Sequence, residues 1–204
     1  MKVLTPSEVV MAAKLATGIS GVRAGESAAK LAVVEVDGEA VTYEQLAGGK
    51  WKTLFPRTRE KMQLIKAWNR IHSPDQVQIK AVLANMAVTV TDGAELWTVT
   101  LPSGKVAILE EPDLDTIADV LDRVQTQSKN PVAQQLLLSR DAVRRSLVSV
   151  DGQPVDRGNL AKDESWDALF GVVDTMLLGA AWEEAFDAGG DEAVLGEARP
   201  VSGT

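Results

Sequence analysis

A chain of 204 residues with a net charge of −8, 45% hydrophobic and 25% charged residues, has room for one domain or two small ones. The absence of cysteine excludes a disulfide framework and thiolate chemistry, and with only one histidine it also excludes a zinc site of ordinary composition. The negative balance opposes long-range attraction to nucleic acid or to an anionic membrane, and no window approaches the run of about 18 apolar residues that a membrane-spanning helix needs.

Met1–Glu8 lacks the apolar run of a signal peptide, which together with the missing cysteines fits a reducing cytosol. Thr5-Pro6-Ser7-Glu8 reads as a capping box with proline at the first helical position, opening a helix that stops near Gly18. Gly18–Gly25 reads as a loop and Glu26–Val33 as a second helix. Val34-Glu-Val-Asp-Gly-Glu-Ala-Val41 is a short turn with an Asp-Gly tip. Pro56 opens a helix to about Ile71, with Met62, Ile65 and Trp68 at helical spacing. Ser73-Pro74-Asp75-Gln76 reads as another capping box. Ala87–Thr91, Leu96–Leu101 and Val106–Glu110 are β-rich, and Asp92-Gly93 and Pro102-Ser103-Gly104 separate them, which predicts a three-stranded meander between helical units. Helices resume at Asp113–Val124 and after Asn130-Pro131. Asp163 is expected to cap one long helix from Glu164 to about Phe186, ahead of a Gly-rich acidic tail over residues 188–204.

The sequence contains an internal duplication. Val34–Val41 returns as Val148-Ser-Val-Asp-Gly-Gln-Pro-Val155, Trp51-Lys-Thr-Leu-Phe55 as Trp166-Asp-Ala-Leu-Phe170, and Met62, Ala67 and Trp68 as Met176, Ala181 and Trp182. Three matched motifs in one order predict two related helical units: residues 1–86 and 113–187, flanking the meander at 87–112. Four of the five tryptophans fall at matched positions. A buried aromatic ring hides about 150–250 Å², so these are anchors either of a core or of an interface.

The copies differ in charge. Lys50–Ile71 holds seven basic residues against one acid, net +6, and Lys162–Asp187 seven acids against one base, net −6. Opposed faces of this kind fit docking of one copy on the other, within a chain or head to tail between chains, and they equally fit two solvated helix faces.

No residue cluster reads as an active site. His72 has no serine motif near it and is expected at the surface or at a junction. Gly48-Gly49-Lys50 is followed by Trp51 where a phosphate loop needs Ser or Thr. Asp113, Asp115, Asp119 and Asp122 lack the spacing of a calcium loop and read as a solvated face. The basic patch interleaves Trp51 and Trp68, a pattern that can serve single-stranded nucleic acid. Both tryptophans recur in the acidic copy, however, which points to shared packing instead.

Trp97-Thr-Val-Thr-Leu-Pro-Ser-Gly-Lys-Val-Ala-Ile-Leu-Glu-Glu-Pro112, followed by a helix rich in Asp and Leu, resembles the tail assembly chaperones and baseplate hub assembly proteins of tailed bacteriophages. Leu147–Val155 with Trp166–Phe170, and Leu54-Phe-Pro-Arg-Thr-Arg-Glu-Lys-Met-Gln-Leu-Ile-Lys-Ala-Trp-Asn69, look like closing units of the same family. The resemblance implies a non-enzymatic morphogenesis factor in the host cytoplasm that acts on tape-measure or hub proteins, without cofactor or metal. Alternatively it implies a structural part retained in the tail or baseplate of the virion. The expectation is therefore a mainly α protein with a small antiparallel β meander (α+β). Its contact residues would be Trp51, Trp68, Trp166 and Trp182 where exposed, with Arg57, Lys61 and Lys66 set against Asp174, Glu183 and Glu184. Neither nucleic acid nor membrane is expected as a partner.

Overall fold

The computed structural model describes residues 1–16, 21–127 and 131–186, so the expected acidic tail lies outside the described residues. Helix α1 (Pro6–Leu15) starts at the anticipated capping box: Thr5 Oγ1 accepts from Glu8 N, and the Glu8 carboxylate accepts from Thr5 N at 2.9 Å. Helix α2 runs Gly21–Ala32, earlier than the expected start at Glu26: Gly21–Gly25 is helical, with Ala24 and Gly25 buried, and is not a loop. Strands β1 (Glu35–Val36) and β2 (Glu39–Ala40) form a hairpin. Short helix α3 (Tyr43–Gln45) and a wide π-type turn at Leu46–Lys50, kinked where Gly49 takes φ +119°, lead to α4 (Trp51–Leu54). Helix α5 (Thr58–His72) closes the first unit.

Helix α6 (Gln76–Ala84) is capped two residues later than expected. Asp75, not Ser73, accepts from Gln78 N at 2.8 Å, and the Gln78 side chain returns the bond. Strands β3 (Ala87–Thr91), β4 (Ala94–Thr100) and β5 (Val106–Glu110) follow, then α7 (Leu114–Gln127) and α8 (Pro131–Ser146). Strands β6 (Leu147–Val150) and β7 (Gln153–Pro154) make a second hairpin, ahead of α9 (Arg157–Leu160), α10 (Asp163–Leu169) and α11 (Val172–Phe186). The expected single helix over 164–186 is thus two. The chain extends at Phe170 (ψ 136°), and Asp163 is the first residue of α10, not its cap.

The mainly α architecture with a small antiparallel sheet is as expected, but the sheet has five strands in the order β3-β4-β5-β6-β7. The second hairpin adds to the meander through Ala107↔Val150 and Ile108↔Ser149. All three Asp-Gly tips place both residues at positive φ: Asp37/Gly38 at 52°/84°, Asp92/Gly93 at 52°/84° and Asp151/Gly152 at 51°/74°. That geometry matches the turn to the right-handed twist of a two-residue hairpin.

The duplication is visible in three dimensions. Each copy is a long helix, an Asp-Gly hairpin, short helices ending in Trp-x-x-Leu-Phe, and a second long helix packed on the first. In both copies the tryptophan sits against the phenylalanine four residues on, with ring centroids 4.8 Å apart for Trp51–Phe55 and 4.7 Å for Trp166–Phe170. A cation covers each indole: Lys30 Nζ lies 5.6 Å from the Trp51 centroid and the Arg144 guanidinium 5.3 Å from that of Trp166. Lys30 and Arg144 are themselves 114 positions apart, the offset of the duplication.

The main core gathers Val99, Leu101, Ala107 and Leu109 from the meander with Leu147, Trp166, Phe170, Leu177 and Trp182 from the second copy. A separate core holds Ala29, Val33, Leu46, Trp51 and Ile65 of the first copy. Helix α1 bridges them. Leu4, Val9 and Ala12 pack with Ala28 and Ala32 of copy one and Val172 of copy two.

Candidate functional site

Where the two copies face each other they leave a cleft of about 620 Å³, walled by α1, α2, α5, α8 and α11. Val9 and Ala13 contribute from α1, Val22 and Ala24 from α2, Met62, Ile65 and Trp68 from α5, and Leu136, Met176 and Ala180 from the second copy. The walls are apolar because aliphatic, methionine and aromatic side chains of five helices converge there. Lys66, Asn69 and Glu183 supply polar groups to the same cleft.

Polar side chains fasten α1 across the two copies. Leu4 N donates to His72 Nε2 at 2.8 Å, and Ser7 N and Oγ both donate to Asp167 Oδ1, at 3.3 and 3.1 Å. His72 is therefore not at the surface. It is 1% exposed, its Nδ1 lies 2.9 Å from the Trp68 carbonyl, and its ring stacks on Trp68 at 5.2 Å. With Nε2 accepting, Nδ1 must carry the proton, which defines the neutral tautomer. Both ring nitrogens are occupied by structural bonds, so His72 is a wall of the cleft and a strut for α1.

The expected contact residues fall in three groups. Trp51, Trp166 and Trp182 are 1%, 0% and 9% exposed and serve as core anchors. Trp68 alone among the four is half-buried and lines the cleft. Arg57, Lys66 and Glu184 are exposed, Lys61 and Glu183 are half-buried, and Asp174 is buried in the first turn of α11, where a carboxylate favours the helix N-terminus. Among the described residues no ion pair joins Arg57, Lys61 or Lys66 to Asp174 or Glu184. Within one chain α1 and apolar packing join the two copies. The cleft does bring one member of each set, Lys66 and Glu183, to the same opening.

The charged cluster that the fold does build lies elsewhere. Arg140, Asp141 and Arg144 are 5%, 7% and 8% exposed on α8. Arg144 Nη2 donates to Asp163 Oδ1 at 3.0 Å, and Arg140 Nη1 lies 2.9 Å from the same oxygen without hydrogen-bond geometry. Burial pushes the Asp163 carboxyl up, but the bond from Arg144 and the charges of both arginines outweigh it. The net result is a carboxyl held below its ordinary range. This cluster ties α8 to α10. Among the described residues no group of three or more His, Asp or Glu is placed to hold a metal ion, and no helix is long and apolar enough to cross a membrane.

Two features of the site escaped the sequence reading. One is the helix crossing within each unit. Gly25 of α2 faces Ile65 of α5, where an added Cβ would lie 2.9 Å from Ile65 Cγ2. In the second copy Gly179 of α11 faces Ser139 of α8, where an added Cβ would lie 2.5 Å from Ser139 Cβ. Gly25 corresponds to Ser139 and Ile65 to Gly179 at the same offset of 114, so the small residue has changed helix while the close approach stayed. The other is the partnering of the indoles. Trp166 Nε1 donates to Thr175 Oγ1 at 3.0 Å and Trp182 Nε1 to Ser146 Oγ at 2.7 Å. The matching residues in copy one are Lys61 and Ala32, and there Trp51 Nε1 and Trp68 Nε1 are buried without a partner. Both features follow from pairing residues at the 114 offset, a signal present in the sequence outside the matched motifs.

Comparison of the chain with protein-family models, with curated proteins and with solved structures finds no match.

Proposed function

We propose that this chain is a non-enzymatic binding protein that holds an apolar helical segment of a partner in the cleft between its two repeat units. The phage resemblance makes that partner a tape-measure or hub protein during tail or baseplate assembly. The observation that carries the reading is the cleft itself: about 620 Å³, helix-walled, apolar, with Trp68 half-exposed in its wall. A groove between helices lined by methionine, aliphatic and aromatic side chains accepts the apolar face of an amphipathic helix. Lys66 and Glu183 at its opening would orient a partner carrying either sign of charge. Neither charged cluster supports an alternative enzymatic reading. His72 has both nitrogens committed, and the Arg140–Asp163 cluster is an internal tie.

The test is capture of tape-measure and hub proteins from a phage genome that encodes this chain, by the wild type and by Ala180→Phe, which fills the cleft from α11. The reading expects capture by the wild type, and binding weaker by about tenfold or more, ~1.4 kcal/mol, for the variant with its far-UV spectrum unchanged. Equal capture by both would refute it. A second reading, a building block retained in the particle, is favoured by one observation: among the described residues strands β1 and β3 each have one side unpaired. Mass spectrometry of purified particles separates the readings, since a building block is present in fixed copy number and an assembly chaperone is absent.

A further inference from the structure

We infer that the chain associates head to tail through its strand edges, with β3 of one copy pairing antiparallel with β1 of the next. The inference is independent of what the cleft holds.

The duplication supplies the template. In the second copy β6 is paired on both sides, by β7 and by β5, and it runs four residues. In the first copy the matching strand β1 is paired only with β2 and runs two residues. The two hairpins share their register: Val36↔Glu39 matches Val150↔Gln153, and Glu35↔Ala40 matches Ser149↔Pro154. They also share the bond that closes them, Val41 N to Val34 O at 2.9 Å and Val155 N to Val148 O at 3.0 Å. On the outer side of the second hairpin Asp151 N donates to Val106 O at 2.8 Å, and the Asp151 carboxylate accepts from Val106 N at 2.8 Å. By the two-residue period of a strand, the outward groups of β1 are those of Glu35 and Asp37, the counterparts of Ser149 and Asp151. So β1 retains the geometry that receives a strand, and among the described residues none is there.

The same chain carries the strand that fits. Strand β3 is paired only with β4, through Thr91↔Ala94, Thr89↔Leu96 and Ala87↔Thr98 at the hydrogen-bonded positions next to the turn. That leaves the N–H and C=O of Val88 and Val90 facing outward, two residues apart, as Glu35 and Asp37 are. All five residues of β3 are exposed, with Val88 at 50% and Val90 at 69%. A β-branched edge strand with neither lysine nor proline to block it is a pairing surface. The two edges are different surfaces of one molecule, so each contact leaves a β1 free at one end and a β3 at the other, and association does not close on itself.

The experiment is sedimentation velocity on the full chain at rising concentration in low salt, with two variants that each remove one outward N–H. Glu35→Pro blunts β1 and Val88→Pro blunts β3, and neither amide takes part in its own hairpin. The wild type is expected to grow past the dimer in average mass, from a monomer of 21.8 kDa. Each variant alone is expected to stay monomeric, and an equimolar mixture is expected to stop at the dimer, because only one productive contact remains. Recovery of dimers in the mixture also shows that both variants are folded. Should either proline variant lose its far-UV spectrum, Val88→Lys with Val90→Lys, which charges the β3 edge, is measured alone and is expected to stay monomeric. A wild type that remains monomeric at every concentration overturns the inference, as does association that the substitutions leave unchanged or a mixture that polymerises.

Discussion

The helix crossing inside the second copy makes a demand that can be weighed in both directions. Replacing Gly179 with alanine adds a Cβ 2.5 Å from Ser139 Cβ and 2.7 Å from its Oγ, with the α8 backbone at Ser139 Cα 3.4 Å away. Carbon atoms rest about 3.5–4.0 Å apart, so the two helices must separate by about 1 Å at this point. A Cβ cannot rotate out of the way. Overpacking of this kind costs about 1–3 kcal/mol. Alanine in place of a mid-helix glycine returns about 1 kcal/mol. The expected net effect in the wild type is a loss of up to about 2 kcal/mol, or about 2–4 °C in Tm per kcal/mol for a chain of this size. In a Ser139→Gly background both close atoms are gone. There, Gly179→Ala should stabilise by about the helix-propensity gain alone, reversing sign. Urea denaturation followed by tryptophan fluorescence and far-UV circular dichroism on the four proteins of this cycle measures the coupling, expected at about 1–3 kcal/mol. Additivity within about 0.5 kcal/mol would refute the claim that the close approach is what the glycine preserves.

Three further outcomes follow from the same geometry. Ser146→Ala removes the partner of Trp182 Nε1, reproducing the pairing of Ala32 with Trp68, and should cost about 1–3 kcal/mol in denaturant melts, since a buried donor is left unsatisfied. Asp163→Asn should lower stability at pH 7, and the gap to wild type should close in acid. The Asp163 carboxyl is held below its ordinary range, so its contribution is complete above the unfolded value of about 3.9 and is lost as pH falls through the lower folded value. Melts of both proteins at pH 7 and pH 3 check this, and a gap as wide at pH 3 as at pH 7 contradicts it. Lys30→Met removes the cation over Trp51, and with it the ion pair to Glu26, but keeps the stem. It should cost about 0.5–1 kcal/mol and shift the fluorescence of a tryptophan that a change at exposed Lys52 leaves alone.

Much of the architecture was legible because it is local. The Thr5–Glu8 box, the Asp-Gly tips and the helical spacing of Met62, Ile65 and Trp68 each act within a few residues of chain, and each produced the expected element. What escaped was decided at a distance. That β6 would pair with β5 depends on residues 38 to 43 positions apart, and the composition of either strand is silent on it. His72 reads as polar and junctional, yet the amide of Leu4, 68 residues earlier, gives its Nε2 a buried partner. The tryptophans were recognised as anchors, but whether an anchor faces core or solvent depends on what the other copy and α1 cover, and this left only Trp68 at the cleft. The opposed charges were read correctly as composition, but the fold uses the two sets differently: most of the basic residues are exposed, whereas Asp163 is tied to Arg144 of α8 and Asp174 is buried.

The central claim is that the space between the two units is where this protein does its work. Hydrogen–deuterium exchange of the chain, alone and mixed with the proposed tape-measure or hub partner, tests it most directly. The account predicts protection on binding concentrated in the cleft walls: α1, the first half of α2, α5 around Met62–Asn69 and α11 around Met176–Glu183, with the outer hairpin at Asp151-Gly152 unchanged. Protection that bypasses those segments, or a mixture indistinguishable from the chain alone, would contradict it.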